Sequence, residues 1–282
     1  MGLDVRKSEA SCGAEITGID LRQPLSSDTV AEIRALWTEH KVIAFPDQKL
    51  SDDDLERFTL HFGDFGDDPF FGHIEGHENI AAIERRADET TPIFAESFHT
   101  DWSFLDIPPA GTVLYGITIP PHGGNTLFAD QVAAYERLPD PLREKADGLT
   151  AIHSARRGYA PGGLYDQSDQ AAGRSMDIKP SEVAFATTTH PFVRTHRETS
   201  KKALFSSPAY IIGFEGCSDE ESLQLAMEFY PHQTADEVTY SHRWQKDMLV
   251  MWDNRSLLHA ATGGYDGYDR LLHRTTIADT AF

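Results

Sequence analysis

Cysteine is nearly absent from this sequence: Cys12 and Cys217 are the only two in 282 residues. Two isolated thiols exclude a disulfide framework and a thiolate zinc site, so any metal must be held by nitrogen and oxygen ligands. Positive charge is scarce as well, with 25 Lys plus Arg against 45 Asp plus Glu and a formal net charge of −20. No basic block interrupts that excess, which argues against nucleic acid and against an anionic membrane as partners. The same field weakly repels small anions, so a site for a carboxylate needs its own local arginines. No apolar run reaches the length of a transmembrane helix, and residues 1 to 10 carry charges where a secretory leader needs an apolar stretch. A soluble, cytoplasmic chain is expected. What the sequence does have is core-forming material, 40% hydrophobic and 10% aromatic, enough for one large domain spanning 1–282.

Ser26, Ser27 and Asp28 offer capping side chains before Val30, Ile33, Leu36 and Trp37, whose spacing predicts an amphipathic helix. The apolar run 42 to 45 reads as a strand, and a second helix is expected from Ser51, with three acidic residues suiting its N-terminal dipole. Beyond residue 110, short apolar segments at 112–119, 126–129, 192–195, 203–206, 248–252 and 271–277 read as strands. Helices are expected at 132–138, ending before a Pro-Asp-Pro turn, and at 219–230. Residues 155–185 are rich in Gly, Ser, Asp and Gln without periodicity, which predicts a mobile insertion or an active-site lid. The fold class expected is mainly β with flanking helices, a double-sheet jelly roll in preference to a parallel α/β sheet.

His99-Thr100-Asp101 places two metal-ligand side chains at i and i+2, so in an extended segment both leave the same face. Read alone the triplet is weak. His73-Ile74-Glu75 offers a similar pair, and without further context a local hydrogen-bonded turn is the favoured reading of His99 and Asp101. A non-haem iron(II) oxygenase needs two imidazoles and one carboxylate on one face of the metal, and the third ligand must come from another strand.

The C-terminal half supplies context. Phe-His-Thr-Asp-Trp-Ser-Phe at 98–104, Pro-Pro-Ala-Gly at 108–111 and Gly-Gly-Asn-Thr-Leu-Phe-Ala-Asp at 123–130 occur with Val-Arg-Thr-His at 193–196 and Trp-Asp-Asn-Arg at 252–255. Together with Gly-Ala-Glu-Ile-Thr-Gly-Ile-Asp-Leu at 13–21 they make the chain resemble, almost end to end, the taurine and 2,4-dichlorophenoxyacetate dioxygenase (TauD/TfdA) family. The resemblance implies a double-stranded β-helix, Fe(II) held by His99, Asp101 and His259, and 2-oxoglutarate and O2 as co-substrates. It also implies that Arg270, eleven residues after His259, pairs with the distal carboxylate of 2-oxoglutarate, helped by the Thr126 hydroxyl. Arg274 shares a strand face with Arg270 and by resemblance receives an anionic group of a small substrate, a carboxylate or a sulfonate. Relatives form dimers or tetramers, so a homo-oligomer is expected.

Two positions depart from the taurine enzyme. Asp68 stands where that enzyme has a sulfonate-binding histidine, and Trp102 replaces a small aliphatic residue beside the metal motif, so taurine itself is not implied. Either Asp68 receives a cationic nitrogen while Arg274 receives a carboxylate, which suits a zwitterion, or Asp68 is a solvated carboxylate in the turn 66–69; the composition of that turn favours the second. His73, Tyr159 and Phe205 are further pocket candidates by resemblance. The implied reaction is hydroxylation or oxidative cleavage, yielding succinate and CO2, and the presence of Asp101 argues against halogenation. A zinc hydrolase on the same three ligands and a non-catalytic jelly-roll binding module stand as alternatives, although the zinc hydrolase leaves Arg270 unexplained.

Overall fold

The computed structural model describes residues 2–279. Its two leading helices begin where the sequence puts capping serines. Ser26 Oγ accepts the Thr29 N–H at 3.1 Å, satisfying a donor that a helix start otherwise leaves orphaned, and the helix runs Ser27–His40. At Ser51 the cap is reciprocal: its hydroxyl accepts the Asp54 N–H while the Asp54 carboxylate accepts the Ser51 N–H, and the helix Asp52–Leu60 follows. Both helices press Ile33, Trp37, Leu55, Phe58 and Phe62 against one face of a large sheet.

That sheet has eight strands, in the spatial order Asp4–Lys7, Ala14–Thr17, Val42–Phe45, Leu249–Asp253, Gly111–Thr118, Arg270–Ile277, His77–Arg85, His73–Ile74. Every pairing is antiparallel except Ala14–Thr17 with Val42–Phe45. Alternation along the strands sorts the side chains. Val113, Tyr115, Leu249 and Met251 meet the two helices, whereas Leu114, Val250 and Trp252 face Phe128 and Leu257 of a second sheet. With both faces covered, the central strands read as near-continuous apolar runs, which is why they show no clean period of two. Each such Leu, Val or Phe contributes about 1.5–3 kcal/mol by leaving water.

The second sheet, Thr239–His242, Thr126–Asp130, Leu257–Ala261, is antiparallel throughout, and the two facing sheets form the jelly roll. A third, Ile211–Phe214, Thr150–His153, Thr188–Pro191, is backed by the helix Asp219–Gln233 through the rings of Phe192, Phe214 and Phe229.

One expectation changes. Pro139-Asp140-Pro141 is no turn but the start of a helix, Asp140–Asp147, because proline tolerates the first turn, where its missing N–H would have no partner. The strand His77–Arg85 gives little signal because its first half is polar. Residues 155–185 are also more core-like than their composition suggests: Tyr159, Tyr165, Met176, Ile178 and Ala184 are buried together with Phe70, Phe71 and Trp102.

Candidate metal centre

The segment carrying His99 and Asp101 does not belong to either large sheet, yet it is locked to one. His99 N–H donates to the His259 carbonyl at 3.0 Å and His259 N–H to the His99 carbonyl at 2.7 Å, an antiparallel bridge from the edge of the strand Leu257–Ala261. The two residues are thus directly opposite, with ring centroids 4.2 Å apart. Two residues further on, at the start of a turn, Asp101 brings its Oδ1 to 3.6 Å from Nε2 of both histidines.

That separation is too long for hydrogen bonds. Three donor atoms converge within 4.8 Å of one another on three buried side chains, and a nitrogen and oxygen set of this kind suits a divalent first-row metal. The tautomer also fits. His99 Nδ1 lies 2.9 Å from the Ser97 carbonyl, so Nδ1 carries the proton and the Nε2 lone pair points to Asp101. Burial, and then the neighbouring His99, push the His259 imidazole down to about 3, leaving it neutral as a metal ligand must be. Burial opposes ionisation of Asp101, yet its carboxyl is held well below its ordinary range by the positive potential around it, to which the Arg274 guanidinium contributes at any working pH.

His99, Asp101 and His259 line one cavity with Thr126, Arg270 and Arg274. Arg270 is buried, 7% exposed, and among the described residues no carboxylate pairs with it. Its Nη2 reaches only the Gly124 carbonyl at 3.3 Å, and Nε has no partner. Gly124 has φ +65°, and a side chain there would come within 3.2 Å of Arg270 Nε, so glycine is needed on both counts. Thr126 Oγ1 accepts the Trp244 indole N–H at 2.9 Å, which leaves its own proton free to be donated. Arg85 and Arg174 line the same cavity but share Glu89. Arg270 therefore stands as an uncompensated buried cation in an acidic protein.

Arg274 differs. Its Nη2 is 2.5 Å from Asp68 Oδ2, and its guanidinium lies over the rings of Phe71 at 4.3 Å and Trp102 at 5.3 Å. The turn at 66–69 does not leave Asp68 solvated: its side chain is only 12% exposed, and burial raises its carboxyl. Trp102 is buried with φ +48°, an uncommon conformation for a bulky residue. Tyr159 stacks on Phe70 at 4.7 Å. With Phe94, Phe98, Tyr165 and Tyr210 it walls a second, open cavity of about 540 Å³ that meets the first at His99, Phe94 and Ala95.

His73 and Phe205 line neither cavity. His73 is exposed because its strand, His73–Ile74, is the outermost of the large sheet. Phe205 packs instead among His153, His190 and Arg194. Conversely, nothing in the sequence marks Glu89, Arg174, Tyr210 or Tyr265 as cavity residues; they come from loops with no motif or period.

Among the described residues no helix is long and apolar enough to cross a membrane. The family model "Taurine catabolism dioxygenase TauD, TfdA family" matches residues 4–276. An alpha-ketoglutarate-dependent sulfate ester dioxygenase of Pseudomonas putida is 33% identical, over 98% of this chain and 89% of the relative. An alpha-ketoglutarate-dependent 2,4-dichlorophenoxyacetate dioxygenase of Cupriavidus pinatubonensis is 33% identical, over 95% of each chain. The crystal structure of a taurine dioxygenase from Burkholderia xenovorans superposes with a TM-score of 0.81 at 30% identity, over 99% of this chain and 91% of that one. With its jelly roll, its cluster of two histidines and an aspartate, and a match along nearly the whole sequence, the chain belongs to the TauD/TfdA family of enzymes, metal-dependent dioxygenases that use 2-oxoglutarate (alpha-ketoglutarate) and O2 to oxidise a small substrate.

Proposed function

We propose that His99, Asp101 and His259 hold iron(II), that Arg270 and Thr126 receive the distal carboxylate of 2-oxoglutarate, and that the primary substrate is a small acid or zwitterion with an apolar body. One observation carries this reading: the three converging ligand atoms share a cavity with a buried arginine that no carboxylate neutralises. Iron(II) bound there supplies the redox centre at which 2-oxoglutarate is oxidised to succinate and CO2 and O2 is activated to hydroxylate or oxidatively cleave the substrate.

The chain's own residues bind and orient. Arg270 offers a planar fork that stays charged at any working pH, and burial makes its pairing with a carboxylate strong. Thr126 has its proton available for the same group. The aromatic walls of Tyr159, Tyr165 and Tyr210 favour an apolar body in the outer cavity, on the approach to His99. At Arg274 the pairing with Asp68 favours a zwitterion: a lone acid must compete with Asp68, whereas an ammonium and a carboxylate together keep both charges balanced. The segment 155–185 contributes Tyr159, Tyr165, Arg174 and Met176 to the cavity walls, which supports its reading as a cover over the site.

Anaerobic visible spectroscopy of apoprotein with iron(II), before and after 2-oxoglutarate, tests the chelate. A charge-transfer band in the parent and none in His259→Ala is expected, followed by a screen of acids and amino acids for coupled succinate formation. Absence of the band in folded parent protein would refute the assignment.

A further inference from the structure

Behind Asp101 runs a chain of hydrogen bonds in which every donor is fixed. The Trp252 indole N–H can only donate, and it lies 2.9 Å from the Asn254 side-chain oxygen. That settles the orientation of the amide, so Asn254 Nδ2 is turned to Thr112 Oγ1 and donates to it at 2.9 Å. The hydroxyl, having accepted from Asn254, has one proton to give, and Asp101 Oδ2 accepts it at 2.6 Å. All four residues are at most 3% exposed, so water scarcely competes.

Asn254 is itself immobilised. Its backbone N–H donates to the Ala110 carbonyl at 3.0 Å, and its carbonyl accepts from the hydroxyl of Thr100, the residue between the two ligands, at 2.7 Å. The Trp252 ring meanwhile packs 4.8 Å from that of His259. One small group of residues thus touches all three ligands or their immediate neighbours.

We propose that Thr112 and Asn254 are positioning residues for the metal: the Trp252, Asn254, Thr112 relay commits Asp101 Oδ2 to the protein, so that Oδ1 alone is presented to the metal beside the two imidazoles. This rests on the assignment of His99, Asp101 and His259 as ligands. Without the relay the carboxylate is free to rotate, and each rotamer that turns Oδ1 away must be reversed before metal binds. Groups that orient a ligand in this way typically govern about 10–100-fold in metal affinity.

The test is calorimetric titration of apoprotein with manganese(II) as a redox-silent probe, together with thermal melting of the apoproteins. Thr112→Val, which keeps the shape and removes the hydroxyl, is expected to bind about 10–100-fold more weakly, with Thr112→Ser restored to within about threefold of the parent. Recovery by serine separates positioning from packing, because serine lacks the methyl group that packing would need. If Thr112→Val does not fold, Asn254→Ala decides, with a loss of about tenfold expected. Parent-like affinity in the folded variant overturns the relay alone. A parent that binds no more tightly than His259→Ala overturns the ligand assignment, and the relay with it.

Discussion

Removing Asp68 should destabilise the protein far more than a turn carboxylate would suggest. Arg274 is 5% exposed and the Asp68 side chain 12%, so Asp68→Ala leaves a buried guanidinium without its partner carboxylate, a state it cannot escape by losing its proton. Breaking one side of a buried pair costs about 3–5 kcal/mol. Asp68→Asn should cost roughly half of that, because the amide oxygen still accepts a hydrogen bond from the charged donor. The converse variant, Arg274→Met, strands Asp68 instead, and a carboxyl can neutralise itself. Burial already raises the Asp68 carboxyl, and without Arg274 it rises further above its unfolded value. The penalty for Arg274→Met should therefore be greatest at high pH and fall by about 1.4 kcal/mol per unit as pH drops toward the unfolded carboxylate range. The penalty for Asp68→Ala should show no such relief. Urea unfolding of the two apoprotein variants and the parent at pH 7.5 and pH 5, followed by tryptophan fluorescence, measures both quantities. A cost below about 1 kcal/mol for Asp68→Ala would place the pair in the exposed class and refute the reasoning.

Two further outcomes follow from burial. Arg270→Met should raise the 2-oxoglutarate concentration needed for the charge-transfer band by about 100-fold, the worth of a strong charge-assisted pair, while leaving manganese affinity unchanged; a shift below threefold would mean that the co-substrate is held elsewhere. His153 is fully buried, its Nδ1 is engaged by Ser103, and burial and then the neighbouring His190 push it down to about 3. The unfolded chain takes up that proton near pH 6.5 and the folded chain does not, so stability is complete above 6.5 and lost as pH falls toward 3, by up to about 1.4 kcal/mol per unit. In His153→Gln the pH dependence of the urea midpoint between pH 6.5 and 4.5 should flatten by that amount, and an unchanged slope would contradict the burial argument.

Local chemistry was readable where one residue decides the outcome. Ser26 and Ser51 announce helices because a hydroxyl before a first turn has orphaned N–H groups to satisfy. The jelly roll was suggested by short apolar runs and carried by the family motifs, and the facing sheets around Phe128 and Trp252 agree. The zinc hydrolase and the binding module are set aside by family membership. Asp68 and Trp102 were noticed as departures, but their meaning was hidden, because a turn sequence does not reveal which arginine will fold over it. His73 and Phe205 lie away from both cavities, because a sequence match fixes a position in the chain and the packing around it decides what the side chain meets.

The sequence by itself determined the kinds of atoms available: almost no thiol, an excess of carboxylates, one His-x-Asp triplet, and two arginines four residues apart near the C-terminus. Only the tertiary structure decided which of these meet. His99 and His259 are 160 residues apart and become ligand partners through two backbone hydrogen bonds. Arg270 and Arg274 are four residues apart and diverge, one left without a carboxylate and the other paired with Asp68. Spacing within a strand sets the face a side chain occupies, but the charge it finds there is set by whichever distant loop packs against it.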